Sequence, residues 1–165
     1  MKHLTRPGKG GRSHPSEQLP TAIRVARCYG ASSKQVFNAW LDPEIAGRWL
    51  FATATRPMTY VEINARVEGS FCFAEQRRGE SVRHTGEYIE IVPHRRLVFT
   101  LHMDHPHAVT RVTVEIAGLK AGCELALTHE GVPMLCASQT EERWTGILYG
   151  LGVTLSTRDR YRRNQ

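Results

Sequence analysis

Side chains that could bind a metal are densest between positions 102 and 107. His102, Asp104, His105 and His107 offer nitrogen and oxygen ligands over a short stretch, and imidazole is a common zinc ligand. We nevertheless predict no metal site, because Pro106 favours a turn here and histidines on a turn are usually solvated. Nothing in the surrounding sequence indicates the rigid outer contacts that orient zinc-binding histidines. We expect no other cofactor either.

Glu75 and His129 are titratable residues that strand alternation places on an inner face. His129 follows Leu125 and Leu127 at every second position. A histidine in an apolar pocket could act as an acid or base near neutral pH, but a structural histidine at a strand end is the favoured interpretation. Glu75 could bind a cation or act as a base. Exposure where its strand ends is the favoured interpretation for this carboxylate.

Several enzyme classes are excluded because their motifs do not occur. A nucleophile elbow, a phosphate-binding glycine loop, an HExxH pair and a dinucleotide fingerprint are all missing. The cysteines lie at positions 28, 72, 123 and 136, without CxxC spacing. This spacing excludes a zinc ribbon or a thioredoxin-type site. We expect Cys28, Cys72 and Cys123 to be small buried apolar residues on strands.

The net charge of +6 comes from the ends of the 165-residue chain. Residues 1–20 and residues 158–165 each hold four basic residues and one acidic residue, which leaves residues 21–157 neutral. Basic ends on a neutral body are more typical of solvated tails than of a nucleic-acid-binding face. No apolar run reaches the ~20 residues that span a bilayer, and no secretory signal is recognisable. We therefore expect a cytoplasmic protein without nucleic-acid or membrane partners.

Apolar spacing predicts one domain over residues 21–157, between a disordered basic lead-in at 1–20 and a basic tail at 158–165. After a strand over 22–29, Ser32 with Gln35 and then Asp42 with Pro43 indicate the starts of two short helices. From residue 57 the period changes to two, which predicts six further strands: 59–65, 69–75, 82–92, 96–103, 109–117 and 123–130. Their short connections favour an antiparallel meander.

A long helix closes the predicted domain. Ser138 and Glu141 have capping-box spacing. An apolar stripe follows at helical spacing: Trp144, Leu148, Leu151 and Leu155. Glycines interrupt this helix at positions 146, 150 and 152. Because three glycines cost a helix about 2–3 kcal/mol relative to alanine, we expect close backbone approach or space for another group beside them. The alternative is a weak helix that tertiary packing stabilises.

The sheet must bury one face, and the last helix is the only long amphipathic element available to cover it. We therefore predict an α+β fold in which a curved antiparallel sheet wraps around that helix and leaves a cavity. Arg24 and Arg111 are expected on the outer face, and Glu68-Gly69 is the favoured position for a bulge. Strict alternation along each strand predicts that eight mostly large apolar residues face the helix: Phe71, Phe73, Phe99, Leu101, Val112, Val114, Leu125 and Leu127.

Five local strings, in this order, carry a resemblance over residues 21–157. They are Ala39–Glu44 with Arg48-Trp49, Val67–Phe73, Gly86–Val92 running through Pro93 into Arg96–Phe99, Leu127–Gly131, and Trp144–Gly146. Together they resemble the activator-of-heat-shock-protein-ATPase homologue family. That family is a branch of the START-like (SRPBCC), helix-grip superfamily.

The resemblance implies the same fold and a pocket for a small hydrophobic molecule between the sheet and the last helix. It leaves two alternatives open: an enzyme of cyclase or hydrolase type acting on a small apolar substrate, with His129, Glu75 or Tyr88 as acid or base, and a co-chaperone-like interaction module with a chaperone partner. A homodimer also stays open. The residues expected to contact a ligand are Trp49, Phe71, Phe73, Tyr88, Phe99, Leu101, His129, Trp144 and Leu148.

Overall fold

The computed structural model describes residues 19–52, 56, 58–103 and 108–165. Seven strands form one antiparallel sheet in the order β1-β7-β6-β5-β4-β3-β2. The strands are β1 Pro20–Tyr29, β2 Tyr60–Ile63, β3 Ser70–Arg77, β4 Glu80–Val92, β5 Arg96–Met103, β6 Ala108–Gly118 and β7 Cys123–Pro133. From β2 to β7 each strand pairs with the next one in the chain, and β1 closes the far edge against β7. The predicted meander is confirmed.

Two short helices, α1 (Ser33–Leu41) and α2 (Pro43–Trp49), connect β1 to the remaining strands. Ser32 and Gln35 form the predicted capping box, in which each side chain accepts from the other residue's backbone N–H. Asp42 caps α2 by accepting from the backbone of Glu44 and Ile45, and Pro43 occupies the first turn, where its missing N–H costs nothing. The short-range prediction is confirmed here because these caps depend only on neighbouring residues.

The last helix, α3, spans Ala137–Arg163 and differs from the prediction at both ends. It begins directly after a 3-10 turn at Met134–Cys136, and no side chain caps it, so the capping box predicted at Ser138 is wrong. At the other end α3 continues through most of the expected tail at 158–165. All four basic residues of that segment are therefore helical, and they follow Leu155, the last buried residue of α3.

The inner face of the sheet is as predicted, and it packs against α3. All eight residues expected on it are buried, as are Trp144 and Leu148 on the helix. The predicted bulge is present: Glu68 donates its backbone N–H to the carbonyl of Tyr88, whose N–H donates to the carbonyl of Gly69. A second irregularity lies between Tyr88 and Glu90, and it leaves Ile89 exposed on the outer surface.

Glycine is required at two close approaches between chain segments. A Cβ on Gly86 would lie 1.8 Å from the carbonyl oxygen of Thr100. At Gly122, which has a φ of +90°, a Cβ would lie 1.9 Å from the carbonyl oxygen of Tyr29. Neither position can accept a side chain without moving a neighbouring strand.

The outer face is polar and carries Arg24 and Arg111, both exposed as expected. Of the cysteines expected to be buried, only Cys123 is; Cys28 is exposed and Cys72 is half-buried. Cys28 and Cys72 alternate with inward residues, so strand geometry turns them away from the core.

Within the described part of the chain, no helix is long and apolar enough to cross a membrane.

Candidate functional site

Aromatic rings fill the space deep between the sheet and α3. Trp40 meets Trp49 edge-on at 4.7 Å, and Phe71 meets Phe99 edge-on at 5.5 Å between ring centroids. The remaining void is about 10 Å³, and its walls are Trp40, Leu50, Phe51, Phe71, Phe73, Tyr88, Leu97 and Phe99. Such a void holds at most one water molecule. The cavity expected at this depth is therefore filled by side chains.

An open cleft lies at the rim of this core, between α2, α3 and the adjoining ends of β3 and β4. It has two chambers, of about 820 Å³ and about 380 Å³. The first chamber lies along α2 and α3. The second chamber has the first turns of α3 on one side and strands β4, β5 and β7 on the other. The chambers adjoin, because they share the lining residues Phe51, Arg77, His84, Arg143 and Ile147.

The expected ligand contacts divide into three groups. Trp49 lines the first chamber, whereas Leu101, His129 and Trp144 line the second. Leu148 is fully buried and lines neither chamber. The other four surround only the small core void: Phe71, Phe73, Tyr88 and Phe99. Only four of the nine expected residues therefore line the open cleft. The aromatic rings at the centre of the sheet pack on one another and leave no room for a ligand.

Phe51 and His84 form a stacked pair that lines both chambers. Their ring centroids are 4.5 Å apart and their planes differ by 8°. Phe51 follows α2 and has a φ of 62°, in the left-handed region that a bulky residue rarely adopts. This backbone turn brings the Phe51 ring back over β4. The pair therefore forms part of the boundary between the chambers.

Glu75 is buried beside this stack, with only 1 % of its surface exposed, so its expected exposure at the strand end is wrong. Its Oε1 accepts from Nη2 of Arg77 at 2.6 Å and lies 3.6 Å from Nε2 of His84. The side chains of Arg77 and His84 therefore lie against this buried carboxylate. Glu75 does line the first chamber, as expected of a residue that shares a face with Phe73.

His84 lines both chambers, and its side chain is 15 % exposed. Burial lowers its pKa, although Glu75 acts in the opposite direction. His84 is therefore neutral at pH 7. Among the described residues, none forms a hydrogen bond with its Nε2 or with the buried Nε of Arg77. These nitrogens are polar atoms beside the apolar side chains of Phe51 and Ile147, which line the same chambers.

His129 is a structural residue with both ring nitrogens engaged. Trp144 Nε1 donates to Nδ1 of His129 at 3.0 Å. Because Nδ1 accepts, Nε2 carries the proton and donates to Thr110 Oγ1 at 2.7 Å. Thr110 in turn donates to the carbonyl of Leu101 at 2.9 Å. Burial lowers the pKa of His129 to about 4, so the imidazole is neutral at pH 7. Its two hydrogen bonds give it a structural role.

Tyr88 is equally removed from acid–base chemistry. Burial raises the pKa of its phenol well above the ordinary value. Its ring lines the small core void and neither chamber. Of the three acid or base residues expected for an enzyme, Glu75 is the one with a side chain toward the larger chamber.

The glycines of α3 leave space rather than permit close packing. A Cβ on Gly146 would meet nothing within 4 Å, and one on Gly150 would meet Trp49 at 3.8 Å. At Gly152 the nearest atom would be in Tyr29, at an ordinary 3.5 Å. Gly146 and Gly150 line the first chamber. Of close backbone approach and open space, the two functional reasons expected for these glycines, the geometry favours open space.

Sequence reasoning missed Phe51, Arg77, His84 and Arg143. Tyr88, Gly86 and His84 occupy every second position of β4, so strand alternation places His84 on the same inner face as Tyr88. This signal was available in the sequence. No comparable local signal marks Phe51, because its position depends on the turn after α2. Arg143 lies on the exposed side of α3, and only the approach of β4 makes it part of a cleft.

Metal binding receives no support from the described residues, where no group of three or more histidine, cysteine or acidic side chains is close enough to hold an ion. His102 is exposed and lines the second chamber. Asp104, His105 and His107, which complete the cluster considered from the sequence, lie outside the described residues.

A protein-family profile described as "Activator of Hsp90 ATPase homolog 1-like protein" matches residues 30–156. The chain belongs to this family. No protein of curated function matches the sequence. The family assignment confirms the resemblance carried by the local strings, and it places the chain in the START-like superfamily, whose fold commonly binds hydrophobic ligands.

Solved structures share the fold. A protein from Chromobacterium violaceum is 26 % identical, with a TM-score of 0.73 over 80 % of this chain and 94 % of that one. An AHSA1-like protein from Aeromonas hydrophila is 21 % identical, with a TM-score of 0.73 over 84 % and 94 % of the two chains. A Staphylococcus aureus protein of unknown function reaches a TM-score of 0.78 at 14 % identity, over 87 % and 98 %. The helix-grip prediction is confirmed.

Proposed function

We propose that this protein binds a small hydrophobic molecule in the cleft beside α3. The observation that carries the proposal is the open space at Gly146, where a Cβ would touch nothing within 4 Å. Glycine at an exposed helix position costs about 1 kcal/mol relative to alanine. Packing does not require glycine there, whereas an open chamber of about 820 Å³ does use the missing volume.

The size and lining of the cleft support the same conclusion. Chambers of about 820 Å³ and 380 Å³ lie within the usual range for small-molecule sites. Trp49, Phe51 and Ile147 supply an apolar wall, and such walls provide most of the binding free energy for apolar ligands. The proposal moves the ligand from the filled centre of the sheet to its rim, where Trp49, Leu101, His129 and Trp144 remain as expected contacts.

The test is titration with N-phenyl-1-naphthylamine, an uncharged probe whose fluorescence rises in apolar surroundings. We expect saturable binding to the wild type and a loss of roughly tenfold in affinity for Gly146→Leu, since the new side chain occupies part of the first chamber. Gly146→Ala should bind nearly as well as the wild type, because a methyl group removes little volume. Thr145→Leu is the matched control: Thr145 is exposed on α3 and lines neither chamber.

Two results would overturn the proposal. One is the absence of saturable binding to the folded wild type. The other is equal affinity of Gly146→Leu and Thr145→Leu, which would mean that the probe binds elsewhere. Native mass spectrometry of freshly purified protein is an independent check, because a bound apolar ligand appears there as a mass difference.

The family description names an activator of the Hsp90 ATPase, and a separate measurement distinguishes that role. Under the ligand-binding proposal, adding the protein leaves the ATPase rate of the purified chaperone unchanged. A reproducible increase in that rate would favour the co-chaperone alternative. The proposal includes a cytoplasmic location, which is supported by four cysteines that remain free thiols.

A further inference from the structure

Positive charge is concentrated around the first chamber. Four arginines line it, Arg48, Arg56, Arg77 and Arg143, against two glutamates, Glu75 and Glu142. Residues 21–157 as a whole hold equal numbers of basic and acidic residues, so this excess is local. A cleft lined by one sign of charge beside apolar walls concentrates ligands of the opposite sign.

The acidic residues leave much of this charge without a partner. Glu75 is already engaged by Arg77 at 2.6 Å. Within the described part of the chain, neither Arg48 nor Arg143 has a carboxylate within 4 Å. Arg48 approaches from α2 and Arg143 from α3, so their side chains line the first chamber from two different helices. Cations without partners at an apolar cleft favour an anionic group on the ligand.

A second observation is a buried hydrogen-bond donor without a partner on a residue that lines the cleft. The Nε of Arg77 is buried, and none of the described residues accepts from it. This nitrogen can only donate, and a buried donor without an acceptor is costly. Arg77 lines both chambers. An oxygen atom on a bound ligand would satisfy this donor.

Apolar surface adjoins these charges on the same wall. Trp49, Phe51 and Ile147 line the first chamber together with the arginines, and Val153 extends the apolar surface along α3. The ligand that fits both features has an apolar body of moderate length with an anionic oxygen group at one end. A neutral hydrocarbon would leave the arginines without partners, and a phosphosugar would leave the apolar wall uncovered.

We infer that the cleft takes an amphiphilic organic carboxylate, with its carboxylate near Arg143, Arg48 and Arg77 and its apolar body along Trp49, Phe51 and Ile147. The inference rests on the proposed function and specifies its ligand class. Arg77 is tied to Glu75, so Arg48 and Arg143 are the residues that discriminate the charged end.

The experiment compares octanoate with 1-octanol as competitors of N-phenyl-1-naphthylamine at pH 7. The two competitors have the same chain length and differ at the end group. We expect octanoate to displace the probe at a lower concentration than octanol in low salt, with the difference shrinking as salt is added. In Arg143→Met and in Arg48→Met the affinity for octanoate should fall about three- to tenfold, while the affinity for octanol stays the same.

Arg111→Met is the matched control, because Arg111 is exposed on the outer face of the sheet and lines neither chamber. The inference is overturned if octanol competes as well as octanoate in the wild type. It is also overturned if Arg111→Met weakens octanoate binding as much as Arg143→Met does. Both results leave probe binding intact, which separates them from failure of the proposed function, where the uncharged probe itself does not bind.

Discussion

Trp144 on α3 donates its indole N–H to Nδ1 of His129 on β7 across 3.0 Å, and this buried bond joins the helix to the sheet. It requires the neutral form of the histidine with its proton on Nε2. Protonating Nδ1 would break the bond and place a charge in the core. The stability of the fold therefore depends on pH through a residue that sequence reasoning had considered for catalysis.

We expect the free energy of unfolding to fall as the pH drops below about 6.5. The pKa of His129 is about 4 in the folded protein, against an ordinary value of 6.5 that applies to the unfolded chain. The unfolded chain therefore binds more protons between these values. The stabilisation is complete above pH 6.5 and is lost progressively toward pH 4. Between pH 7 and pH 5 the loss is about 2 kcal/mol, measurable by urea unfolding at each pH.

His129→Gln is the control for this pH dependence. Glutamine can still accept from Trp144 but does not titrate in this range. The difference between pH 7 and pH 5 should shrink in the variant, with a remainder from His84, whose pKa is also lowered. An unchanged difference would show that His129 is not the titrating group.

Leu148→Ala should be strongly destabilising, because Leu148 is fully buried and lines neither chamber. The expected loss is about 2–5 kcal/mol, from lost transfer free energy and the cavity left behind. Val153→Ala on the same helix is the comparison, since Val153 is 50 % exposed and its loss should stay below about 1 kcal/mol. Urea unfolding measures both, and similar losses would contradict the placement of α3.

Arg77→Met should destabilise the fold by leaving the buried Glu75 carboxylate without its charged partner. The Arg77 side chain is 39 % exposed, so solvent screens the pair and the expected loss is about 1–2 kcal/mol. Adding Glu75→Gln to Arg77→Met should restore part of the loss, because a neutral amide is less costly to bury. If the double variant is the less stable one, the buried carboxylate is not the source of the effect.

Deleting residues 1–18 should leave the melting temperature nearly unchanged. This segment is rich in glycine, proline and charge and has few apolar side chains to bury. Thermal unfolding of the full chain and of a chain beginning at Leu19 measures the effect. A decrease of many degrees would mean that the segment packs on the domain.

The strand pattern was predictable because alternation is a local property. Phe71 and Phe73 face inward and Cys72 between them does not, as period two requires. The bulge at Glu68-Gly69 was also predictable from the local sequence. The start of α3 was not predictable in this way: Ser138 has capping-box spacing, but the helix begins one residue before it, at Ala137, directly after a 3-10 turn.

The candidate site was predictable only in part. Alternation placed Glu75 on the inner face, yet its contact with His84 depends on the pairing of β3 with β4. The expected contacts at the centre of the sheet were chosen for being large and apolar. Those same properties let Phe71 and Phe99 pack on each other and fill the space that a ligand would need.

The sequence by itself determined which residues face inward, where the short helices begin and which family the chain resembles, because each of these depends on spacing or on local strings. Tertiary structure alone decided where open volume remains. That volume is the difference between the space enclosed by the sheet and helices and the side chains that occupy it. Gly146 and Arg143 became parts of a cleft only when α3 packed beside α2 and the ends of β3 and β4.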